Sequence, residues 1–299
     1  MASNKGEYTV IDLANFRNNK VVCLTLDVEQ DYGELLDEPS YEGLQHIPEL
    51  VEFFKERNIS LTCFVQGSLF ETHPARIKQL SALDVEFELH SYSHPEPKEA
   101  NVEFEVERGK EAYRRFVDKD PVGYRSPLGV INGEDYAILA SNGFRFDCSI
   151  FPSVMPGVFN NLRKPTKPYL LNNSKMIELP FTVLSNAIRI PIALSYIKLF
   201  GKPYFYLLKT FHLPNLIIFN FHLHDLFELS SSNKIALRKF SPIYRLVYNR
   251  IYRKQKNNGF AILDELITTF QRKGYMFSKL LDIYQSIIRV EGNNLFRQD

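Results

Sequence analysis

The sequence has no tryptophan and only three cysteines in 299 residues. Cys23, Cys63 and Cys148 are odd in number and far apart, with no CxxC pair or zinc-finger spacing. A disulfide framework is therefore not expected, and a reducing compartment is the default. No run reaches the about 18 uncharged apolar residues that a membrane-spanning helix needs. Residues 1–19 hold no apolar core of signal-peptide length and carry Glu7 and Asp12, so a cytoplasmic protein is expected. No internal repeat or low-complexity tract marks a linker.

What is present suits a globular protein. Hydrophobic residues make up 44% and charged residues 24%, enough to bury a full core, with 24 Phe and 16 Tyr supplying the missing aromatic bulk. The net charge of +1 hides an asymmetry. Residues 1–178 hold 28 acids against 19 bases, whereas residues 179–263 hold 12 bases and only two acids, Asp225 and Glu228. Such a split suggests two surfaces with different partners.

Short β-branched runs alternate with longer amphipathic ones. Strands are expected at Val21–Asp27, Ile59–Val65, Val85–Leu89, Val122–Tyr124, Phe144–Ile150, Met176–Leu179 and Leu216–Phe221. Helices are expected at Ile47–Arg57, Ala75–Leu83, Asn101–Val117, Glu134–Asn142 and Ala261–Lys273. This alternation predicts parallel βαβ units, whose chemistry collects on the loops after the strands.

Four polar clusters fall at those strand ends. In LTLDVEQDYG, Asp27, Glu29 and Asp31 share one face if strand geometry continues, and three close carboxylates repel unless a cation or proton sits among them. In ELHSYSHPEP, His90 and His94 are four apart and would project from one side of a helical turn, as two imidazoles gripping one metal can. Two histidines and a carboxylate make a ligand set with open positions, suited to zinc and also to cobalt, nickel, manganese or iron. Tyr124-Arg125-Ser126-Pro127 follows a short apolar strand. In LIIFNFHLHDL, strand geometry turns Asn220, His222 and His224 the same way.

Together, in this order, the motifs resemble the polysaccharide deacetylases, carbohydrate esterase family four, from about Val21 to Tyr284. The acidic first motif, Thr62-Cys63-Phe64-Val65-Gln66-Gly67, the HSxxH motif of His90 to His94, the RxP of Arg125 to Pro127, Phe146 to Pro152, IELPFTV and the final histidine motif all carry the likeness. Two departures mark a divergent branch: an Asp-x-Glu first motif in place of adjacent Asp residues, and Leu128 where an aromatic usually follows RxP. The resemblance implies a distorted (β/α) barrel in a single domain, with an N-terminal extension over 1–20, the barrel over 21–285 and a C-terminal tail over 286–299.

The resemblance also implies the roles. His90, His94 and a carboxylate, preferably Glu29 with Asp31 as the alternative, would hold one divalent metal, Zn2+ first. Asp27 would be the general base, paired with Arg125. A backbone N–H near Leu128 would help meet the oxyanion. His222, or else His224, would protonate the departing amine, and Asp225 would orient the acid histidine. Tyr124, Pro127, Leu128 and Glu178 would shape the substrate pocket. The expected reaction is removal of an N-acetyl group from an amino sugar. A deformylase or another amide hydrolase on the same fold, and an inactive sugar-binding relative, are the alternatives.

The basic region 179–263 is also apolar-rich. Ile188–Phe200 and Tyr204–Phe211 are dominated by large apolar residues, and Ser241–Lys256 interleaves Tyr, Leu and Ile with Arg and Lys. That mixture suits an anionic membrane surface. It suggests a peripheral enzyme on the inner face of the membrane and a sugar carried on a lipid phosphate. No nucleic-acid partner is expected.

Overall fold

The apolar run KVVCLTLDV is buried along almost its whole length and forms the strand from which the sheet is built. The computed structural model describes all residues except 1–6, 14, 15, 17, 236–241, 254–258 and 296–299. In chain order the strands are β1 (Tyr8–Val10), β2 (Lys20–Val28), β3 (Leu61–Val65), β4 (Val85–Leu89), β5 (Gly123–Tyr124), β6 (Phe146–Asp147), β7 (Val154–Met155), β8 (Phe159–Asn160), β9 (Tyr169–Leu171), β10 (Ile177–Glu178), β11 (Leu216–His222) and β12 (Tyr275–Phe277). The helices are α1 (Ile47–Arg57), α2 (Leu69–Thr72), α3 (Pro74–Gln79), α4 (Val102–Val117), α5 (Gly133–Ser141), α6 (Leu194–Phe200), α7 (Lys202–Thr210), α8 (Leu223–Leu226), α9 (Pro242–Tyr248), α10 (Gly259–Arg272) and α11 (Leu280–Leu295).

The main sheet runs β1-β9-β10-β6-β5-β4-β3-β2-β11, with β12 joined to the start of β2. From β10 to β11 every pair is parallel, as the strand–helix alternation predicts. Among the described residues no strand ladder joins β10 to β11. Instead, the Thr182 N–H donates to the Ile218 carbonyl at 3.2 Å, and the Ile218 N–H donates to Thr182 Oγ1 at 2.8 Å. The sheet thus curls into a distorted barrel, with one backbone and one hydroxyl hydrogen bond at this seam. Two expected strands, Phe144–Ile150 and Met176–Leu179, shrink to the two-residue β6 and β10. The chain beyond each bends away to shape loops at the barrel's mouth.

Side chains alternate between two environments along each strand, as a pleat requires. On β2, Val22, Leu24, Leu26 and Val28 pack outward under the helices, while Val21 and Cys23 face the barrel interior. Continuing that parity puts Thr25 and Asp27 inside. On β11, Ile217, Phe219 and Phe221 pack outward and Leu216 and Ile218 inward, which puts Asn220 and His222 inside. The amino-terminal end of the interior is closed by Leu280, Ile283 and Ile287 of α11, with Ile11 and Phe16. No element is expected there from the sequence, nor over α6 and α7, although Gly201 separates those two helices and Pro203 opens the second.

Leu280 is fully buried in this plug, and Met276 of β12 is 59% exposed. Leu280→Ala should lower the unfolding free energy by about 2–5 kcal/mol. Met276→Ala should change it by less than about 0.5 kcal/mol. Urea denaturation of both variants checks this. Equal effects would remove α11 from the core.

Candidate active site

The carboxyl ends of β2, β4, β5 and β11 bring their polar side chains to one place. In the register of β2 with β11, Thr25 lies opposite Asn220 and Asp27 opposite His222. Arg125, one residue past β5, reaches across the interior from the other side. It pairs with Asp27 and donates to Asn220 Oδ1 at 2.9 Å, Thr25 Oγ1 at 3.1 Å and the Cys148 carbonyl at 2.9 Å. Its guanidinium lies between the rings of Phe64 and Phe181, 3.9 and 4.5 Å from their centroids. The second oxygen of Asp27 accepts from Asn220 Nδ2 at 3.0 Å and lies 3.4 Å from His222 Nε2. Burial pushes the Asp27 carboxyl up, but Arg125 and His222 outweigh it and hold it well below the usual carboxylate range.

Beside this pair, the Glu29 carboxylate lies 2.8 Å from His90 Nε2 and 2.7 Å from His94 Nε2. Burial opposes its charge, and the two histidines overcome that and depress its pKa. The histidines are not on a helical turn as expected. Ser91 and His94 adopt φ of 58° and 61°, a left-handed conformation uncommon for such residues. The loop is held by Glu105 of α4, which accepts from Ser91 Oγ at 2.6 Å, the Tyr92 N–H at 2.8 Å, the Ser93 N–H at 2.7 Å and Ser93 Oγ at 2.6 Å. α4 comes close enough because it presents Gly109. A Cβ on Gly67 would sit 2.9 Å from the Gly109 Cα.

The donor set fits a metal ion. His90 Nδ1 lies 2.8 Å from the Arg125 carbonyl, and a carbonyl only accepts, so the Nδ1 proton is fixed there. Neutral His90 then turns the Nε2 lone pair toward the Glu29 carboxylate at 2.8 Å. Two lone pairs at that distance repel unless a proton or a cation lies between them. Glu29, His90 and His94 form one of two groups among the described residues with metal-ligand spacing; the other is His222, His224 and Asp225.

Asp31 is not in this group. β2 ends at Val28, so the three acids do not share a face. Asp31 instead accepts from Ser40 Oγ at 2.8 Å, the Glu42 N–H at 2.7 Å and the Gly43 N–H at 3.0 Å.

His222 and His224 are not on one strand face either, because β11 ends at His222 and the chain turns into α8. Their rings stack at 4.7 Å in opposite electrostatic settings. Asp225 lies 3.0 Å from His222 Nδ1 and also accepts the His222 N–H at 3.0 Å. Burial works against charge on His222, yet Asp225, Asp27 and Glu29 raise its pKa well above the ordinary value. Asp225 itself falls to about 2 because His222 outweighs its burial. His224 is lowered to about 4 by burial and by the neighbouring charge of His222. Its Nδ1 accepts the Tyr32 N–H at 3.2 Å.

Strand parity places two expected pocket residues, Tyr124 and Glu178, on the outer side of the sheet. Tyr124 packs outward in a cluster with Leu89, Leu139 and Phe144, and Glu178 lies on the same outer side, accepting from Tyr136 of α5 at 2.9 Å. Pro127 is buried, while Leu128, at φ 56° and 39% exposed, stands in the turn after Arg125. Sequence reasoning missed Thr25 and Glu105 as parts of the site, and it named Asn220 in the last cluster without giving it a role. Parity could have found Thr25. Glu105 lies on α4's buried stripe with Val106, Gly109, Ala112 and Tyr113, and an acid on an apolar stripe is a usable signal.

The polysaccharide deacetylase family matches residues 15–146. Among curated proteins no sequence matches the chain. A crystal structure of a putative polysaccharide deacetylase from Mycobacterium smegmatis is similar in fold, with 18% identity, 98% of each chain covered and a TM-score of 0.63. A peptidoglycan N-acetylglucosamine deacetylase is also similar, with 15% identity, coverage of 90% of this chain and 89% of that one, and a TM-score of 0.51. So is a CE4 family pseudoenzyme from Bacillus anthracis, with 14% identity, coverage of 89% and 68% respectively, and a TM-score of 0.50.

The His224 setting has a consequence for acid stability. Its pKa falls from 6.5 to about 4 on folding, so above pH 6.5 it is neutral in both states and contributes nothing. As pH drops from there toward 4, the unfolded chain takes up a proton that the folded chain refuses, and stability is lost. The loss reaches about 3 kcal/mol at most. His224→Gln should flatten the fall in unfolding free energy between pH 6.5 and 4, measured by urea denaturation across that range. An unchanged slope would rule out a buried neutral His224.

Proposed function

We propose, from the match of residues 15–146 to the polysaccharide deacetylase family, that the protein is a metal-dependent hydrolase that removes the N-acetyl group from an amino sugar. The observation that carries the proposal is the convergence of Glu29 on both His90 and His94 at 2.7–2.8 Å, directly beside the Asp27–Arg125 pair and His222. Glu29, His90 and His94 would hold one divalent cation, with zinc the first choice for two imidazoles and a carboxylate. Such a cation supplies polarisation of the amide carbonyl and acidification of a water.

The chain's own residues would do the rest. Asp27 accepts the water's proton. Its depressed pKa keeps it ionised, and Arg125 and Asn220 fix its two oxygens in direction. His222, with Nδ1 held by Asp225 and a raised pKa, keeps a proton on Nε2 for the departing amine. His224 suits this role less, since it is held neutral and its Nδ1 already accepts a backbone N–H. The Leu128 N–H, in a turn whose Gly129 and Val130 N–H groups are donated within it, would meet the developing oxyanion.

A sugar carried on a lipid phosphate, met by the protein at the cytoplasmic face of a membrane, is the substrate form we favour. The exposed Phe200, Tyr206, Phe211 and Leu246 of the basic region support it. Ser241 and residues 254–256 of the basic segment lie outside the described residues. Among the described residues no helix is long and apolar enough to cross a membrane.

The test combines metal content with product analysis. His90→Ala and His94→Ala should lose bound metal, whereas Asp27→Asn should keep it and lose about 10²–10⁴-fold in turnover. His222→Ala should cut turnover more than His224→Ala. Metal retained in both histidine-to-alanine ligand variants would reject the site. Formate in place of acetate would move the reaction to deformylation, and neither product, with sugar still bound, would leave a binding protein.

A further inference from the structure

The loops after β6 and β10 enclose a second feature beside the catalytic cluster. A cavity of about 450 Å³ is walled by Val154, Leu162, Ile190, Tyr196 and Phe200, and Arg189 is the one charged residue lining it. That volume is within the usual range of small-molecule sites. Val154, Leu162 and Phe200 are each 42–45% exposed, so the apolar wall continues to the surface.

Among the described residues Arg189 has no acidic partner. There its guanidinium donates to backbone carbonyls alone, those of Lys164 at 2.9 Å, Asn186 at 3.4 Å and Pro152 at 3.5 Å. The surrounding chain is almost free of acids. Between residues 148 and 224 the sole acid is Glu178, against eight Lys and Arg, and Glu178 is buried on the outer side of the sheet. An apolar cavity with one uncompensated guanidinium complements a molecule with an aliphatic chain and an anionic head.

The cavity's walls are tied to the site through the chain. Pro191, in its wall, pairs with Val183, and Ala193 pairs with Asn220, which holds Asp27 and Arg125. Pro191 and Ala193 are two residues apart, at most about 7 Å of extended chain. Phe181, against the Arg125 guanidinium, stacks on Phe151 at 3.7 Å, two residues before Ser153 in the opposite wall.

Resting on the deacetylase reading of the neighbouring centre, we propose that this cavity is the subsite for the lipid phosphate of the substrate. Arg189 takes the phosphate, and Val154, Leu162, Tyr196 and Phe200 take the first carbons of the chain.

Calorimetric titration of the metal-loaded full chain with octyl phosphate, octanol and inorganic phosphate tests this. Octyl phosphate should bind one per chain, with the other two weaker by about tenfold or more. Ala187→Glu places an acid on the exposed rim without removing a contact, and it should weaken octyl phosphate by about tenfold or more, as should Arg189→Leu. Binding should survive in the His90→Ala/His94→Ala double variant. The inference is overturned if octyl phosphate does not bind, if both cavity variants bind it as the parent does, or if inorganic phosphate or octanol binds equally well. It is also overturned if binding disappears only in the double histidine variant, which would place the phosphate on the metal centre. Acetate release from the same samples reports separately on the deacetylase reading.

Discussion

The buried pair between Asp27 and Arg125 is the constraint on which the interior of this barrel depends. Taking a guanidinium out of water costs several kcal/mol unless its donors are met. Here they are met by Asp27, Thr25, Asn220 and Cys148, drawn from β2, β11 and the segment after β6, while Phe64 and Phe181 close both faces. A pair assembled in this way from opposite sides of the barrel has little freedom. Its value is therefore positional: Asp27 is ionised, aimed and fixed relative to Glu29, two residues further along the same chain.

The loop bearing the two histidines shows a different solution to the same problem. Two non-glycine residues at positive φ, Ser91 and His94, each cost on the order of 1–3 kcal/mol. Glu105 offsets this with four hydrogen bonds to the loop, each to a charged acceptor and so worth about 1.5–3 kcal/mol. The acid is brought within reach by a helix that approaches over Gly109. A helical turn would have placed the imidazoles by periodicity alone. This loop places them by strain, and the strain is held from a neighbouring element.

At the end of β11, one residue of chain separates two histidines with opposite behaviour. Asp225 and Asp27 keep His222 charged, and that charge, with burial, keeps His224 neutral. Environments that drive two like groups apart are how acid and base roles become distinct in one site. The loops beyond carry the opposite charge pattern from the floor of the site. The floor is crowded with carboxylates, while the walls built from residues 148–224 are basic and apolar.

Much of the fold was legible along the chain. The helix Ile47–Arg57 and the strand Val85–Leu89 match the expected bounds, since burial patterns of period 3.6 and 2 are local properties. Asp27, Glu29, His90, His94, Arg125 and His222 were also named from the sequence, where apolar strands end, and the structure brings them together. Tertiary structure decided what depends on where each strand stops. β2 ends at Val28, which separates Glu29 from Asp31, and β11 ends at His222, which separates it from His224. The parity of β5 and β10 sends Tyr124 and Glu178 outward. Strand termination and facing are set by hydrogen bonding to neighbouring strands and by the curvature of the closing sheet, neither of which a single segment contains.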